Sequence, residues 1–181
     1  KKLIETLSKP KLIFTSLGAF IVLCILSNTL FQMDFSYLTQ TTNYSPEQAY
    51  HLLSSIGGNG RSAHLGIFIA DILMVVLYCA FLLGANYNTF HSWIKNYTVI
   101  SLITFFPLLL GFIQLGEVTA LTVMIVNYQK QAEGIARLAN ILTIVKFNLT
   151  PVCFILPIIG LCGKLIMTLH LKKQRMSKIE Q

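Results

Sequence analysis

Residues 64–84 read HLGIFIADILMVVLYCAFLLG, an apolar stretch with one formally charged residue, Asp71. It is as long as the run of about 20 residues that an α-helix needs to cross a hydrocarbon core about 30 Å thick. In lipid only a helix or a closed barrel satisfies its own backbone hydrogen bonds, and strand-like alternation is absent here. The stretch therefore predicts a membrane-spanning helix.

Three further stretches have the same character, at about 12–32, 98–127 and 138–166. The chain has 181 residues, of which 54% are hydrophobic and 12% are charged. A soluble domain carries about 25% charged residues, so the composition disfavours one. We expect an all-α integral membrane protein, with residues 1–181 forming a single domain of four transmembrane helices.

The positive charges are placed asymmetrically along the chain. The group that we expect on one side of the membrane is Lys1, Lys2, Lys9, Lys11, Lys95, Lys164, Lys172, Lys173, Arg175 and Lys178, whereas the other side has Arg61, Lys130 and Arg137. By the positive-inside rule both termini should be cytoplasmic, and we expect the bacterial inner membrane. Because basic residues at membrane ends suit topology and anionic lipids, we expect the bilayer and not a nucleic acid as the partner of this +7 chain.

The first outer loop, about 33–63, contains the signature of a short helix. Ser45 is a good N-cap, Pro46 suits the first helical position, and Gln48 completes a capping-box pattern. The residues that recur at helical spacing are Ala49, Leu52, Leu53 and Ile56, and Gly57-Gly58 provides a stop. We predict an amphipathic helix that either covers apolar side chains at the outer face or forms a gate or partner surface.

Three charges lie deep inside predicted spans, away from the span ends: Asp71, Glu117 and Lys146. With chain direction taken into account, each lies about two to three helical turns from the outer end of its span, about 10–14 Å below the outer surface. Ionisable residues within a membrane usually face the bundle interior and mark functional sites. We predict that these three side chains converge in one buried acid–base site, and the sequence leaves open which acid pairs with Lys146.

Polar neighbours extend this candidate site. Gln114 precedes Glu117 by three residues and so shares its helix face, unless it serves only as interhelical glue. Asn140 and Thr143 lie within about 120° of arc with Lys146. We therefore include Gln114, Asn140 and Thr143 among the candidate binding residues.

Two residues at the start of the second span complete the set. His64, Asp71 and Tyr78 follow one another at spacings of seven and form one stripe of the helix. Arg61 follows a glycine-rich turn, Gly57 to Gly60, which either binds an anion or acts as a hinge. The alternative is that Arg61 snorkels to the headgroups and that His64 is a solvated or hydrogen-bonded side chain at the interface.

The sequence favours no metal or cofactor. The four cysteines, Cys24, Cys79, Cys153 and Cys162, form no C-x-x-C pair, and we interpret them as packing residues. No serine elbow, paired-histidine cluster or haem signature is present, so no catalytic residue is assigned.

Three functions remain open. The first is a small-ligand, ion or proton binding site, related to transport and opening to the outer face. The second is an accessory or structural subunit, in which the charges fix a homo-oligomer or a larger membrane complex. The third, which the sequence favours least, is an intramembrane enzyme acting on a lipid.

Residues 44–83 and two later motifs resemble a family of small bacterial four-helix inner-membrane proteins. The first half of the shared pattern is an amphipathic segment followed by G-x-x-G-R, then an aromatic residue or histidine, and an acidic residue in the next helix. The second half is an acidic residue late in helix three and the motif A-x-x-x-T-x-x-K at the start of helix four. The matching positions are Gly57, Gly60, Arg61, His64, Asp71, Glu117, Ala139, Thr143 and Lys146. The family pattern in helix three is closer to D-x-x-E-N, where this chain has Gln114 and Val118 around Glu117. The resemblance implies the fold and topology and carries no activity with it.

Overall fold

The computed structural model describes residues 2–30 and 43–179, and their regular structure is helical. The helices are α1 (Lys2–Leu7), α2 (Pro10–Leu30), α3 (Pro46–Ser55), α4 (Gly57–Phe90), α5 (Tyr97–Val126) and α6 (Glu133–Ile179), with a 3-10 turn at Tyr128–Lys130. Four of these helices, α2, α4, α5 and α6, are long and apolar enough to cross a membrane. The prediction of an all-helical chain with four such helices is confirmed, and the end of the first predicted span lies outside the described residues.

The helices extend beyond the predicted spans. Helix α4 begins at Gly57 and continues to Phe90, so the predicted glycine-rich turn is helical from its start. Gly57 has φ of +68°, a left-handed value that glycine adopts without strain, and the chain therefore redirects between α3 and α4 with only Ile56 between them. At the other end of α4, residues 85–90, expected in a loop, remain helical and largely buried. The short connection 91–96 ends at Asn96, whose side chain accepts a hydrogen bond from the Thr98 N–H at 2.9 Å and caps α5.

The α3 helix begins with the reciprocal hydrogen bonds of a capping box. The Ser45 N–H donates to Gln48 Oε1 at 2.8 Å, and the Gln48 N–H donates to Ser45 Oγ at 3.2 Å. The buried face of α3 is formed by Ala49, Tyr50 and Leu53. These side chains pack on a cluster from α4, α5 and α6 that includes Phe68, Leu121 and Met124. The helix is therefore fixed over one end of the bundle by apolar contacts.

Helix α4 is the centre of the bundle, since it packs against α2, α5 and α6, while α5 and α6 pack against each other. We call the end that holds α3 and the α5–α6 connection (residues 43–60 and 127–136) the capped end. The opposite end, with α1 and the connection 91–96, we call the basic end. One apolar cluster lies at the capped end, and a second lies in the middle of the bundle around Val75, Leu82 and Leu110.

Gly84 allows α1 to approach α4 closely, and this leads to a prediction. A Cβ atom at Gly84 would collide with the backbone carbonyl of Leu7. Gly84→Ala should therefore displace α1 and lower the midpoint of thermal unfolding in detergent. Gly18 lies in the interior of α2 with open space around its Cα, so Gly18→Ala should instead stabilise by about 0.5–1 kcal/mol. Equal effects of the two substitutions would show that the Leu7–Gly84 contact does not matter.

Candidate functional site

A buried ion pair joins α5 to α6. The Lys146 ammonium donates to both carboxylate oxygens of Glu117, at 2.8 Å to Oε1 and 2.6 Å to Oε2. The Thr143 hydroxyl donates to Glu117 Oε1 at 2.6 Å. Only 1% of the Glu117 side chain is exposed, against 14% of Lys146. Of the two acids that the sequence offered to Lys146, the structure selects Glu117, and Thr143 joins the pair.

The sequence of α5 and α6 explains this meeting. Thr143 and Lys146 are three residues apart and therefore lie on the same face of α6. A Cβ atom at Gly116 would meet only the Leu142 side chain within the described residues, at ordinary contact distance, so the approach of α6 beside Glu117 does not depend on glycine at this position. Charge-assisted hydrogen bonds of this length are among the stronger ones in proteins, and they are stronger still where water is excluded.

The segment before α3 covers this pair. The Asn43 N–H donates to Asn140 Oδ1 at 3.0 Å, which fixes the segment on α6 one helical turn before Thr143. Tyr44 is buried, and its hydroxyl makes no hydrogen bond to the described residues although it faces Thr143 and Glu117. Burial, and secondarily the Glu117 charge, raise the Tyr44 pKa from 10.0 to about 12, against the opposing effect of Thr143. Tyr44 therefore stays neutral and contributes its ring as an apolar cover.

Arg61 stabilises the cap. Its Nη1 donates to the Leu53 carbonyl oxygen at 2.9 Å, near the end of α3. Its guanidinium carbon lies 4.1 Å from the centre of the Tyr128 ring, a cation–π contact with the connection that follows α5. The structure thus places this predicted binding residue between two elements of the capped end, where it ties α3 to the α5–α6 connection.

Asp71 lies close to the ion pair without entering it. Its carboxylate interacts electrostatically with Lys146 and with Glu117. It also lies near the Cys24 thiol of α2, with which it would interact if that thiol were ionised. Among the described residues it makes no hydrogen bond and no ion pair. The site therefore contains two acids and one base in electrostatic contact, of which one acid is bonded to the base and the other is not.

The remaining predicted residues lie apart from the ion pair. The Tyr78 hydroxyl donates to Gln114 Oε1 at 3.2 Å, which links α4 to α5 about one turn away from Glu117. His64 is buried and stacks on Phe68 with ring centroids 5.6 Å apart. Of the predicted stripe on α4, His64 and Tyr78 are therefore buried, and Asp71 is partly exposed.

Sequence reasoning missed a polar cluster toward the basic end. Lys164 Nζ donates to Asn88 Oδ1 at 2.9 Å, and Asn88 Nδ2 donates to the Ser8 carbonyl at 3.0 Å. Asn86, one turn before Phe90, is fully buried and its amide has no partner among the described residues. The missed signal is periodicity, because Asn86 lies four residues after buried Leu82 and so continues the buried face of α4.

The described part of the chain contains no group of three His, Cys, Asp or Glu side chains placed to hold a metal ion. Two carboxylates and one ammonium carry a net charge of −1 when all are ionised, so the set can accept one proton or one monovalent cation to reach neutrality.

The helices define the class of this protein, an integral membrane protein with four helices able to span the bilayer. No family model matches the chain, and no curated protein or solved structure is significantly similar to it. A function must therefore be inferred from the residues described above.

Proposed function

We propose that this protein binds a proton or a small monovalent cation at Asp71, beside the Glu117–Lys146 pair, as part of a transport-related activity. The membrane would be the bacterial inner membrane, with the capped end outside and both termini in the cytoplasm. The support for this orientation is the concentration of basic residues before α2, in the connection 91–96 and after residue 163.

The observation that carries the proposal is the different bonding of the two acids. Glu117 has its ionic partner, with Lys146 at 2.6 Å and Thr143 at 2.6 Å. Asp71, in the membrane-spanning α4, has neither a hydrogen bond nor an ion pair among the described residues. An unpaired carboxylate at this depth is costly, by about 2.5–3.5 kcal/mol on the insertion scale. A proton or cation at Asp71 removes that cost.

The same geometry provides a means of exchange. Lys146 can neutralise one acid at a time, and it now neutralises Glu117. Protonation of Glu117 would free Lys146 to turn toward Asp71, which already feels its charge. Asp71 would then lose its proton or cation, so occupancy of the two acids is coupled through one base. Such a two-state arrangement is what alternating binding requires.

The test is the stability of purified protein as a function of cation and pH. We would measure thermal unfolding in sodium, potassium and choline chloride at equal ionic strength, and across a pH series in choline chloride. A saturable response to sodium or potassium identifies a cation site, and a response to pH alone identifies proton exchange. Asp71→Asn should abolish either response, whereas Glu133→Gln, an exposed acid at the capped end, should retain it.

Two results would contradict the proposal. The first is a wild-type protein whose unfolding midpoint is insensitive to all three salts and to pH. The second is an Asp71→Asn variant that responds in the same way as Glu133→Gln, because the responding group would then lie elsewhere.

We propose one alternative, an accessory subunit in which the ion pair fixes helix register. The observation in its favour is that Glu117 is fully hydrogen-bonded and 1% exposed, as expected of a structural tie. Buried ion pairs need not add stability, but they can specify one arrangement of helices. Under this alternative the oligomer or complex seen by native mass spectrometry should change when both charges are removed, while the cation and pH responses are absent.

A further inference from the structure

Helices α2, α4 and α6 enclose a groove toward the basic end, with a volume of about 540 Å³. Its walls are largely apolar and include Phe14, Ala85, Phe154 and Leu161. Phe14 and Ile158, which line it, are 72% and 60% exposed, so the groove opens sideways on the bundle. In a membrane this side faces the hydrocarbon chains of lipids, and the groove has the apolar character that an acyl chain requires.

A fixed positive charge lies next to this groove. Pro157 and Leu161 line it from α6, and Lys164 follows on the same stripe of the helix. The Lys164 ammonium is held by Asn88, which also lines the groove and is itself bonded to the Ser8 carbonyl. Asn88 thus orients Lys164 at the end of the groove nearest the basic end.

Lys164 retains capacity for a further ligand. An ammonium group has three N–H donors, and within the described residues Lys164 uses one, on Asn88. Two more basic residues, Lys9 and Lys11, flank Pro10, which lines the groove from α2, and both are exposed. The charge and the apolar wall together match a molecule with a hydrocarbon tail and a negative head.

We propose that this groove binds an anionic phospholipid, with an acyl chain between α2, α4 and α6 and the phosphate on Lys164. Asn88 is the positioning residue, since it holds the ammonium without contacting the phosphate. Charge-assisted contact to a phosphate gives the site its preference for anionic over zwitterionic lipid. This site lies at the other end of the bundle from Asp71, and its test is independent of the function proposed above.

The first test measures lipid binding to the purified full chain in a neutral detergent by native mass spectrometry. The probes are dioleoyl phosphatidylglycerol and dioleoyl phosphatidylcholine, with inorganic phosphate as a third. We expect phosphatidylglycerol to bind more tightly, and Lys164→Gln to weaken its binding by about fivefold or more, as expected for about one charge contact. Lys95→Gln, an exposed lysine in the connection 91–96 that does not line the groove, should leave binding unchanged.

The second test addresses the acyl chain. Ile158→Trp places a bulky ring at the groove, while Ile155→Trp makes the same change one turn earlier on α6, outside the groove. The two isoleucines are 60% and 51% exposed, so both variants should fold. We expect only Ile158→Trp to weaken phosphatidylglycerol binding.

Three outcomes would overturn the proposal. Equal binding of the two lipids by wild-type protein would show a groove that selects hydrocarbon alone. Equal effects of Lys164→Gln and Lys95→Gln would place the charge contact elsewhere. Saturable binding of inorganic phosphate with the affinity of phosphatidylglycerol would mean that the acyl chain contributes nothing.

Discussion

Replacing Glu117 with glutamine should lower the free energy of unfolding by about 3–5 kcal/mol, because it removes the carboxylate that both hydrogen bonds from the largely buried Lys146 ammonium reach. Lys146→Met should have a similar effect, since it removes the ammonium partner of Glu117, whose side chain is only 1% exposed. The double variant Glu117→Gln, Lys146→Met should recover much of the loss, because a buried pair replaced as a whole leaves no uncompensated charge. Denaturant titration of the purified protein in detergent measures all three.

The chain contains a matched control for this experiment. Glu133 and Arg137 form an ion pair at 3.6 Å, one turn apart on α6, with side chains 65% and 69% exposed. Glu133→Gln should therefore cost only about 0–1 kcal/mol. If the Glu117 and Lys146 single variants are as mild as Glu133→Gln, or if their effects simply add in the double variant, the buried pair is not the network described here.

The second large effect is expected at the cap. Leu53 is fully buried in the apolar cluster beneath α3, so Leu53→Ala should destabilise by about 2–5 kcal/mol. The loss should be local at first, because α3 is held by this face and by the Arg61 contacts rather than by a span of its own. Hydrogen–deuterium exchange of the α3 amides should accelerate before that of α5.

A comparison with Leu52→Ala sharpens this experiment. Leu52 is only partly buried against the same cluster, so its truncation should accelerate exchange in α3 less than that of Leu53. Unchanged α3 exchange in Leu53→Ala would contradict the packing described here.

The exchange of the Tyr44 amide, in the residue that covers the ion pair, distinguishes two roles of the cap. Acceleration there together with α3 indicates a gate that opens as one unit, while acceleration of α3 alone indicates a static cover.

The site shows where sequence reasoning succeeds. Glu117 and Lys146 were expected at one depth because each lies a similar distance from the same end of its span, and the structure brings them to 2.6 Å. Thr143 was expected on the stripe of Lys146, and it bonds to the same carboxylate. These successes have a simple cause. Helical periodicity fixes which residues of one helix share a face, and helix length fixes their depth.

The rotation of one helix against another cannot be predicted from the periodicity of either helix. That Glu117 rather than Asp71 bonds to Lys146 depends on the rotation of α4 against α6, which no periodicity reveals. Arg61 was expected either at the headgroups or at an anion, and it contacts Leu53 and Tyr128, two residues from other elements. No sequence pattern predicted a role for Tyr44, although this residue lies directly before the capping box and covers the ion pair.

The sequence by itself determined the four apolar helices, the capping box at Ser45 and the shared depth of Glu117 and Lys146, because these depend on local length, composition and period. The tertiary structure alone decided the pairing of Lys146 with Glu117, the position of Asp71 beside that pair without a bond to any described residue, and the groove beside Lys164. Those features depend on how helices far apart in the chain rotate and approach one another. That choice is made by the summed packing of many side chains, as at Gly84 and Leu53, and not by any one segment.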